Sequence, residues 1–261
     1  MTILVPSLLS SVNRFITSAP FFEMKILAID TSGQTASAAL IEDEKLIGEF
    51  TQNDKLTHSQ TILPMVAEIC EKTNTDPKDV DYIACAVGPG SFTGLRIGAA
   101  TAKGLCLGLN KPLLAVPTLD ALAYHMFMTG AIVCPTMDAR RQQVYACFYE
   151  WQGEKLVPLT EYMAESIDVI IDKALSFQRD VTFLGDGVPV HKEKLAKNPN
   201  FHFAPAHCAL QRAAAVAAYG KVMAEEGKAI SGNELELIYL RKSQAERERE
   251  ERLEKEAAEH V

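Results

Sequence analysis

Two turns concentrate the residues that could hold an anion or act on one. Asp30-Thr31-Ser32-Gly33 closes the aliphatic run Lys25–Asp30, and Gly88-Pro89-Gly90-Ser91 follows the apolar run Tyr82–Val87. Backbone N–H groups in such turns suit anions, and a glycine turn ahead of a helix can cradle phosphate. Each turn also has a structural reading. Asp30 can cap its own turn through its side chain, and Pro89 removes a donor that a phosphate would use. Metal chemistry finds fewer ligands. The histidines are His58, His125, His191, His202, His207 and His260, with no H-x-x-x-H or H-E-x-x-H pair. Nucleophilic catalysis finds fewer still. Ser91 has Pro89 and Thr93 where G-x-S-x-G needs glycines, and Cys208 beside His207 is a dipeptide rather than an oriented pair. Arg140 and Arg141 form a basic pair at a sharp turn. They suit an RNA phosphate or a partner carboxylate, or simply a charged hairpin tip.

The elements that position these residues come in two similar series. Lys25–Asp30, Thr35–Ile41 and Leu46–Thr51 read as three antiparallel strands, followed by a helix at His58–Lys72. Pro64 lies inside that helix, so it kinks there or begins near Leu63. Its apolar set, Ile62, Met65, Val66, Ile69 and Cys70, is wider than one packing face needs. Strand Asp81–Val87, helix Phe92–Leu109, strand Leu113–Val116 and helix Leu119–Met128 follow. The second series opens with strands Ala131–Met137 and Gln143–Glu150, and Leu156–Pro158 adds a third. It continues through helix Ser166–Leu175, strand Val181–Leu184, a short helix Val190–Lys197, strand Phe201–Phe203 and an alanine-rich helix Leu210–Glu226. Antiparallel strands closed by βα units, twice over, predict two related α/β lobes.

The helix Phe92–Leu109 carries Gly94, Gly98, Gly104 and Gly108. Each interior glycine costs about 1 kcal/mol relative to alanine. At helical spacing the four glycines and Thr101 share one sector, opposite Arg96 and Lys103. Such a ridge admits another backbone at close range. Loose packing inside one domain would need only one or two of them. Leu107 lies on the Lys103 side, where solvent would favour a polar residue.

Gly88-Pro89-Gly90-Ser91-Phe92-Thr93-Gly94-Leu95-Arg96-Ile97-Gly98, with Met24-Lys25-Ile26-Leu27-Ala28-Ile29-Asp30-Thr31-Ser32, closely resembles the bacterial TsaB (YeaZ) family. The likeness continues through His58-Ser59-Gln60 with Leu63-Pro64, Pro117–Leu122, Asp138–Arg141, Leu184–Gly187 and Tyr239-Leu240-Arg241, spanning Met24 to Arg241 in order. It implies a two-lobed actin-like, Hsp70-like, sugar-kinase fold. It also implies a non-catalytic partner of TsaD in making threonylcarbamoyladenosine at position 37 of tRNAs that read codons beginning with adenine. TsaD would hold the metal and modify the tRNA, TsaE would supply ATP-driven turnover, and tRNA would be met only through the complex. This chain would then carry no cofactor of its own. The partner interface implied is the first-lobe helix pair, with His58, Ile62, Met65, Val66, Ile69, Gly94, Gly98, Thr101, Gly104, Leu107 and Gly108. A homodimer could use the same surface. TsaD and its relatives hold their metal through a paired-histidine motif, and here the corresponding segment offers His58, Gln60 and Leu63-Pro64. In nucleotide-binding members of the wider superfamily, an acid and hydroxyls at the first hairpin meet phosphate and Mg²⁺. Asp30, Thr31, Ser32, Gly88 and Gly90 would be the vestige of that site. The alternatives from other classes are a nucleotide-dependent phosphotransferase or ATPase, and a glycoprotease-like peptidase.

Composition bounds these readings. The chain has 261 residues and 48% hydrophobic content, enough for one large core or two modest ones. A formal charge of −8 opposes autonomous RNA binding, which relies on a basic surface. The six cysteines form no C-x-x-C and sit mostly in apolar segments, as expected for buried thiols in a reducing cytosol. No apolar run approaches the ~20 residues of a membrane span. Residues 1–23 are apolar and serine-rich but lack a basic opening, and Pro6 and Arg14 interrupt them, which argues against a signal peptide. They read as an extension or poorly ordered arm, with a short amphipathic docking helix as the alternative. The expected organisation is therefore this extension, a first lobe at 24–123, a second at 124–240 and a charged tail at 241–261. Within that tail, the Glu/Arg/Lys run Gln244–His260 reads as a solvated helix.

Overall fold

The first strand, β1 (Lys25–Asp30), is aliphatic on both sides because both of its faces are covered. It pairs antiparallel with β2 (Ala36–Glu42), which pairs with β3 (Lys45–Gln52). Helix α1 (His58–Lys72) then returns the chain to β4 (Tyr82–Ala86), parallel to β1, and α2 (Phe92–Leu109) leads to β5 (Leu113–Val116). The sheet order is β3-β2-β1-β4-β5. The computed structural model that gives this architecture describes residues 23–54 and 57–241. The readings made for residues 1–22 and for Gln244–His260 lie outside those described residues.

After α3 (Thr118–Tyr124) the same path is taken again. Strands β6 (Ile132–Asp138) and β7 (Gln143–Ala146) are antiparallel, and a hairpin of β8 (Tyr149–Gln152) and β9 (Lys155–Pro158) delays the third strand of the repeat, β10 (Met163–Ser166). Helix α4 (Ile167–Ser176), strand β11 (Val181–Leu184), helix α5 (Gly187–Leu195) and strand β12 (Phe201–Phe203) complete the order β10-β7-β6-β11-β12. Position for position this is the first sheet again. The protein is a two-lobed α/β molecule of the actin-like type, as the resemblance implied. Several details differ from the sequence reading: the helix expected at Val190–Lys197 runs Gly187–Leu195, the one expected at Leu119–Met128 ends at Tyr124, and the one expected at Leu210–Glu226 begins at Ala213. The strand expected at Gln143–Glu150 is broken at Cys147-Phe148 into β7 and β8, and β10 carried no legible alternation.

The expected lobe boundaries need correction, because each series sends its last helix to the opposite sheet. Leu119, Leu122 and Ala123 of α3 pack with Val133, Met137 and Leu184 of the second sheet. Asp120 anchors α3 there by accepting the hydroxyls of Tyr149 (2.6 Å) and Tyr162 (2.8 Å). Conversely, Ala213, Val216 and Ala217 of α6 (Ala213–Glu225) cover Ile26, Ala28, Ala39, Ala84 and Leu114 of the first sheet. The alanine-rich sequence of α6 suits this seat, since small side chains let a helix lie close on a sheet. Residues beyond α6 also return to the first lobe. Leu113 and Ile230 form a bridge, Leu235 is buried in the first core, and the Ile238 amide donates to the Val87 carbonyl at 2.8 Å. Arg241, placed at the start of the charged tail by the sequence reading, donates from Nη1 to the Ala139 carbonyl at 2.8 Å.

The glycine ridge of α2 divides into two halves with different roles. A Cβ on Gly94 would stand 2.0 Å from the Thr31 carbonyl oxygen, and one on Gly98 would stand 2.5 Å from Thr31 Oγ1. Those two glycines serve a close approach inside the lobe, so the expectation that they face a partner is corrected. Gly104 and Gly108 have nothing within 4 Å of an added Cβ. The side chain of Thr101 is also spent internally, bonding back to the Ile97 carbonyl at 2.9 Å. On α1, Ile62, Met65, Val66 and Ile69 are buried in the lobe's own core, so they too are withdrawn from any outer surface. The helix runs through Pro64, which lies on the exposed side.

Substitutions at the two halves should therefore behave oppositely. Gly94→Ala and Gly98→Leu should each lower the melting temperature, because overpacking costs about 1–3 kcal/mol against at most ~1 kcal/mol of regained helix propensity. Gly104→Leu should leave the melting temperature unchanged or raise it. Thermal unfolding followed by circular dichroism checks all three.

Candidate functional site

The two lobes enclose a cleft of about 430 Å³. The first lobe lines it with Ser32-Gly33-Gln34 and Gly90–Thr93, the second with Met137–Arg140, Tyr145 and Asp186, and the returning chain with Tyr239 and Arg241. Of the five residues expected to form a nucleotide site, Ser32 and Gly90 line this cleft; Asp30, Thr31 and Gly88 do not. Arg140 lies at the rim, paired with Asp138 at 3.3 Å. It begins a turn in which Arg140, Arg141 and Gln142 all have positive φ, which exposes both arginines at the hairpin tip.

The turns that would have to open around a phosphate are instead fastened to one another. Asp30 Oδ1 accepts the Ser32 amide at 2.8 Å and the Ser32 hydroxyl at 2.6 Å, so the carboxyl caps its own turn. The Ser91 amide donates to the Ser32 carbonyl at 2.7 Å, and Thr31 Oγ1 donates to the Gly94 carbonyl at 2.7 Å. A Cβ on Gly90 would stand 2.4 Å from that same Ser32 oxygen. Gly88 has a φ of +110° and donates to Thr118 Oγ1 at 3.0 Å, which ties this turn to the start of α3. Ser91 caps α2, its hydroxyl accepting the Gly94 amide at 3.3 Å. His58 Nε2 lies 2.9 Å from the Gly33 carbonyl oxygen and pins the start of α1 to the first turn.

Burial dominates the electrostatics here. It pushes the Asp30 carboxyl up to about 6, with the bonds from Ser32 pulling it partly back. Burial also raises Asp186, against the pull of amide bonds from Asp138 and, across the cleft, Gln34. Among the described residues no group of three His, Cys, Asp or Glu side chains converges as a metal site. His207 and Cys208 form no couple; the Cys208 carbonyl oxygen lies 2.9 Å from His125 Nδ1.

The second feature is the outer face of the α1–α2 pair. Leu107 is 84% exposed and Leu63 55% exposed. Pro64 and Ala67 on α1, and Ala100, Gly104 and Gly108 on α2, are exposed with them. Of the residues named as a partner interface from sequence, Gly104, Leu107 and Gly108 belong to this face. Leu63 and Ala67 carry no interface signal of their own in the sequence, although helical spacing turns them roughly 100–160° away from Ile62 and Ile69. Tyr239 was also missed as a site residue. Its ring lies 5.0 Å from that of Phe92, and its hydroxyl accepts from Arg96 Nε at 3.3 Å while Arg96 stacks over Phe92. Gln211, buried under Gly33 with neither amide atom partnered among the described residues, gave no signal in sequence.

Comparison with known proteins agrees with this geometry. The family model described as TsaD: tRNA N6-adenosine threonylcarbamoyltransferase matches residues 45–248. The tRNA threonylcarbamoyladenosine biosynthesis protein TsaB of Escherichia coli is 31% identical over 230 residues, covering 85% of this chain and 96% of that one. The chain belongs to the TsaB (YeaZ) family. The Bacillus subtilis member is 36% identical over 176 residues, 66% of this chain and 75% of its own. A solved Pseudomonas aeruginosa structure, described as an uncharacterized protein with similarity to peptidase YEAZ, superposes with a TM-score of 0.74 at 26% identity. It covers 84% of this chain and 100% of its own. The TsaD match places the TsaB family chain among relatives of that transferase.

The buried Asp30 gives a pH signature. Its carboxyl titrates near 6 in the folded chain and near 3.8 unfolded. Between those values the native state binds the extra proton, so stability falls as pH rises through the interval. From pH 4 to pH 7.5, Asp30→Asn should therefore gain stability relative to the parent by up to about 3 kcal/mol. Urea unfolding across that range reads the difference, and a flat difference would count against the buried charge.

Proposed function

We propose that the chain is a non-catalytic subunit supporting threonylcarbamoyl transfer to adenosine 37 of tRNA, paired with TsaD through the outer face of α1 and α2. The observation that carries this reading is the fastening of the two cleft turns. The Ser91 amide and the Asp30 carboxyl, the groups that a phosphate and its metal would use, are already bonded to Ser32. ATP and metal are then handled by the partners, with TsaE as the ATPase, and this chain holds neither. The exposed apolar strip around Leu63 and Leu107 supplies what a compact helix bundle across a dimer needs. A homodimer would compete for the same strip. The formal charge of −8 supports contact with tRNA only through the complex. No helix among the described residues is long and apolar enough to cross a membrane, and the reading is of a cytoplasmic complex.

The competing reading is an ATPase or phosphotransferase that uses the cleft beside Arg140 and Arg241. ATP turnover by the purified chain that is lost in Asp30→Ala would favour it.

Reconstitution of tRNA modification with TsaD and TsaE, with and without this chain, tests the main reading. Leu107→Asp and Gly104→Leu should abolish co-purification with TsaD and tRNA modification together while the monomer melts as the parent does. Loss of a single buried apolar anchor costs on the order of 2 kcal/mol or more, about thirtyfold in affinity. Normal pairing by both variants would place the interface elsewhere.

A further inference from the structure

Helix α6 has two apolar faces. Ala213, Val216 and Ala217 cover the first sheet. Ala214, Ala218 and Val222, spaced four residues apart, line an open groove of about 600 Å³ instead. Leu46 of β3 and Phe127, beyond α3, line the same groove and are 50% and 53% exposed. Leu46, Tyr124, Ala214 and Ala218 also line an adjoining hollow of about 250 Å³, so the trough continues along α6. From Ala214 to Glu225 it follows that helix for about 17 Å. A contiguous exposed apolar surface of this kind marks an interaction site, whereas apolar side chains exposed singly do not.

The charge of the groove selects its occupant. Asp43, Glu44, Glu154 and Glu225 line it with one cation, Lys221, which is already paired to Glu44 and, at 3.2 Å, to Glu225. The Tyr124 hydroxyl is held above its usual pKa by burial first, and then by Glu44, Glu225 and Glu154 against the pull of Lys221. Three carboxylates thus bear on one phenol of the lining. A segment with acidic residues would be repelled here, while Lys or Arg can lay an apolar stem on the trough and carry a cation to the carboxylates. We infer that the groove docks a segment of a partner polypeptide in which apolar residues are flanked by Lys or Arg. Its apolar side chains lie against Leu46, Phe127 and the Ala214–Val222 stripe, and its cations meet the carboxylate end. Leu46 belongs to the first series and Glu154 to the second, so the segment braces the two lobes. The surface is separate from the outer face of α1 and α2. Leu27 and Ile29 of β1 share a core with those helices, whereas Ile26 and Ala28 on its other side share one with α6. Both surfaces can be filled at once, and the inference does not rest on pairing with TsaD.

Trp151, the single tryptophan of the chain, reports on the groove, since its ring lies 4.9 Å from that of Phe127 and 5.3 Å from that of Tyr124. A library of short random peptides displayed on phage should be selected on the full chain and counter-selected on the full chain carrying Leu46→Ser with Phe127→Ser. Retained sequences are expected to combine apolar residues with Lys or Arg and to lack Asp and Glu. Synthetic peptides of those sequences, titrated while Trp151 emission is followed, should bind about tenfold or more weakly to Phe127→Ser. Glu154→Gln with Glu225→Gln should weaken binding comparably and remove most of its salt dependence. All four positions are exposed, and circular dichroism checks that each variant is folded. Four results would overturn the proposal: no sequence lost on the Leu46–Phe127 variant, retained sequences rich in Asp or Glu, affinity indifferent to the two glutamines, or binding seen only once residues 1–22 are removed or the protein is diluted. In the last case the chain itself or a second copy fills the groove.

Discussion

The contact between the Thr31-Ser32 backbone and the first turn of α2 sets the rest of the molecule. It exists because positions 90 and 94 have no Cβ: at either one an added carbon would fall within 2.4 Å of a carbonyl oxygen of the first turn. With the two turns pressed together, the Ser91 amide and the Asp30 carboxyl are satisfied by Ser32 rather than by a ligand. The same contact fixes where α2 starts and how it lies. Its first half is pinned to the end of the first sheet, while its second half presents Gly104, Leu107 and Gly108 to the outside. Fastened cleft turns and an exposed helix pair are thus two results of one approach.

The lobes are held to each other by exchange of their terminal helices. Asp120 of α3 accepts the hydroxyls of Tyr149 and Tyr162 of the second series, and it bonds Tyr219 of α6 as well. Helix α6 is seated on the first sheet and held at its N-terminal end by Glu49, which pairs with Arg212 and accepts the Ala214 amide at 3.0 Å. Asp186 adds a bond across the cleft to Gln34. Both the cleft and the groove beside α6 follow from this arrangement, since each is bounded by residues of both series.

The sequence made the repeated α/β series legible because strand and helix periods differ so plainly, and Asp30-Thr31-Ser32 and Gly88–Gly98 stood out by residue type. It did not show which way the glycines of α2 face. One helical sector runs from a buried crossing at Gly94 to an exposed Gly108, while Leu95, Ala99, Ala102 and Cys106 keep the neighbouring side of the helix buried along its length. Nor could spacing assign α1: the stripe Ile62, Met65, Val66, Ile69 is apolar because it fills the core, whereas Leu63 and Ala67, the exposed apolar residues, sit among polar neighbours. Helix exchange was illegible for a different reason. The apolar face of α6 fits either sheet, and long-range partners such as Ile238 with Val87 leave no local pattern.

The exchange of helices also fixes an order of assembly during synthesis. Most of what the second sheet needs, from Thr118 to β12, is contiguous in the chain, with the Ala209 carbonyl and Tyr219 of α6 joining it later. The first sheet begins at Lys25 but receives its covering helix only at Ala213 and its last bridging segment only at Ile238. A nascent chain that ends before residue 213 therefore has a second half that still lacks Tyr219 and a first sheet with one whole apolar face uncovered. The amino-terminal half, although made first, is completed last, and its long loop-closure contacts place the late step of folding there.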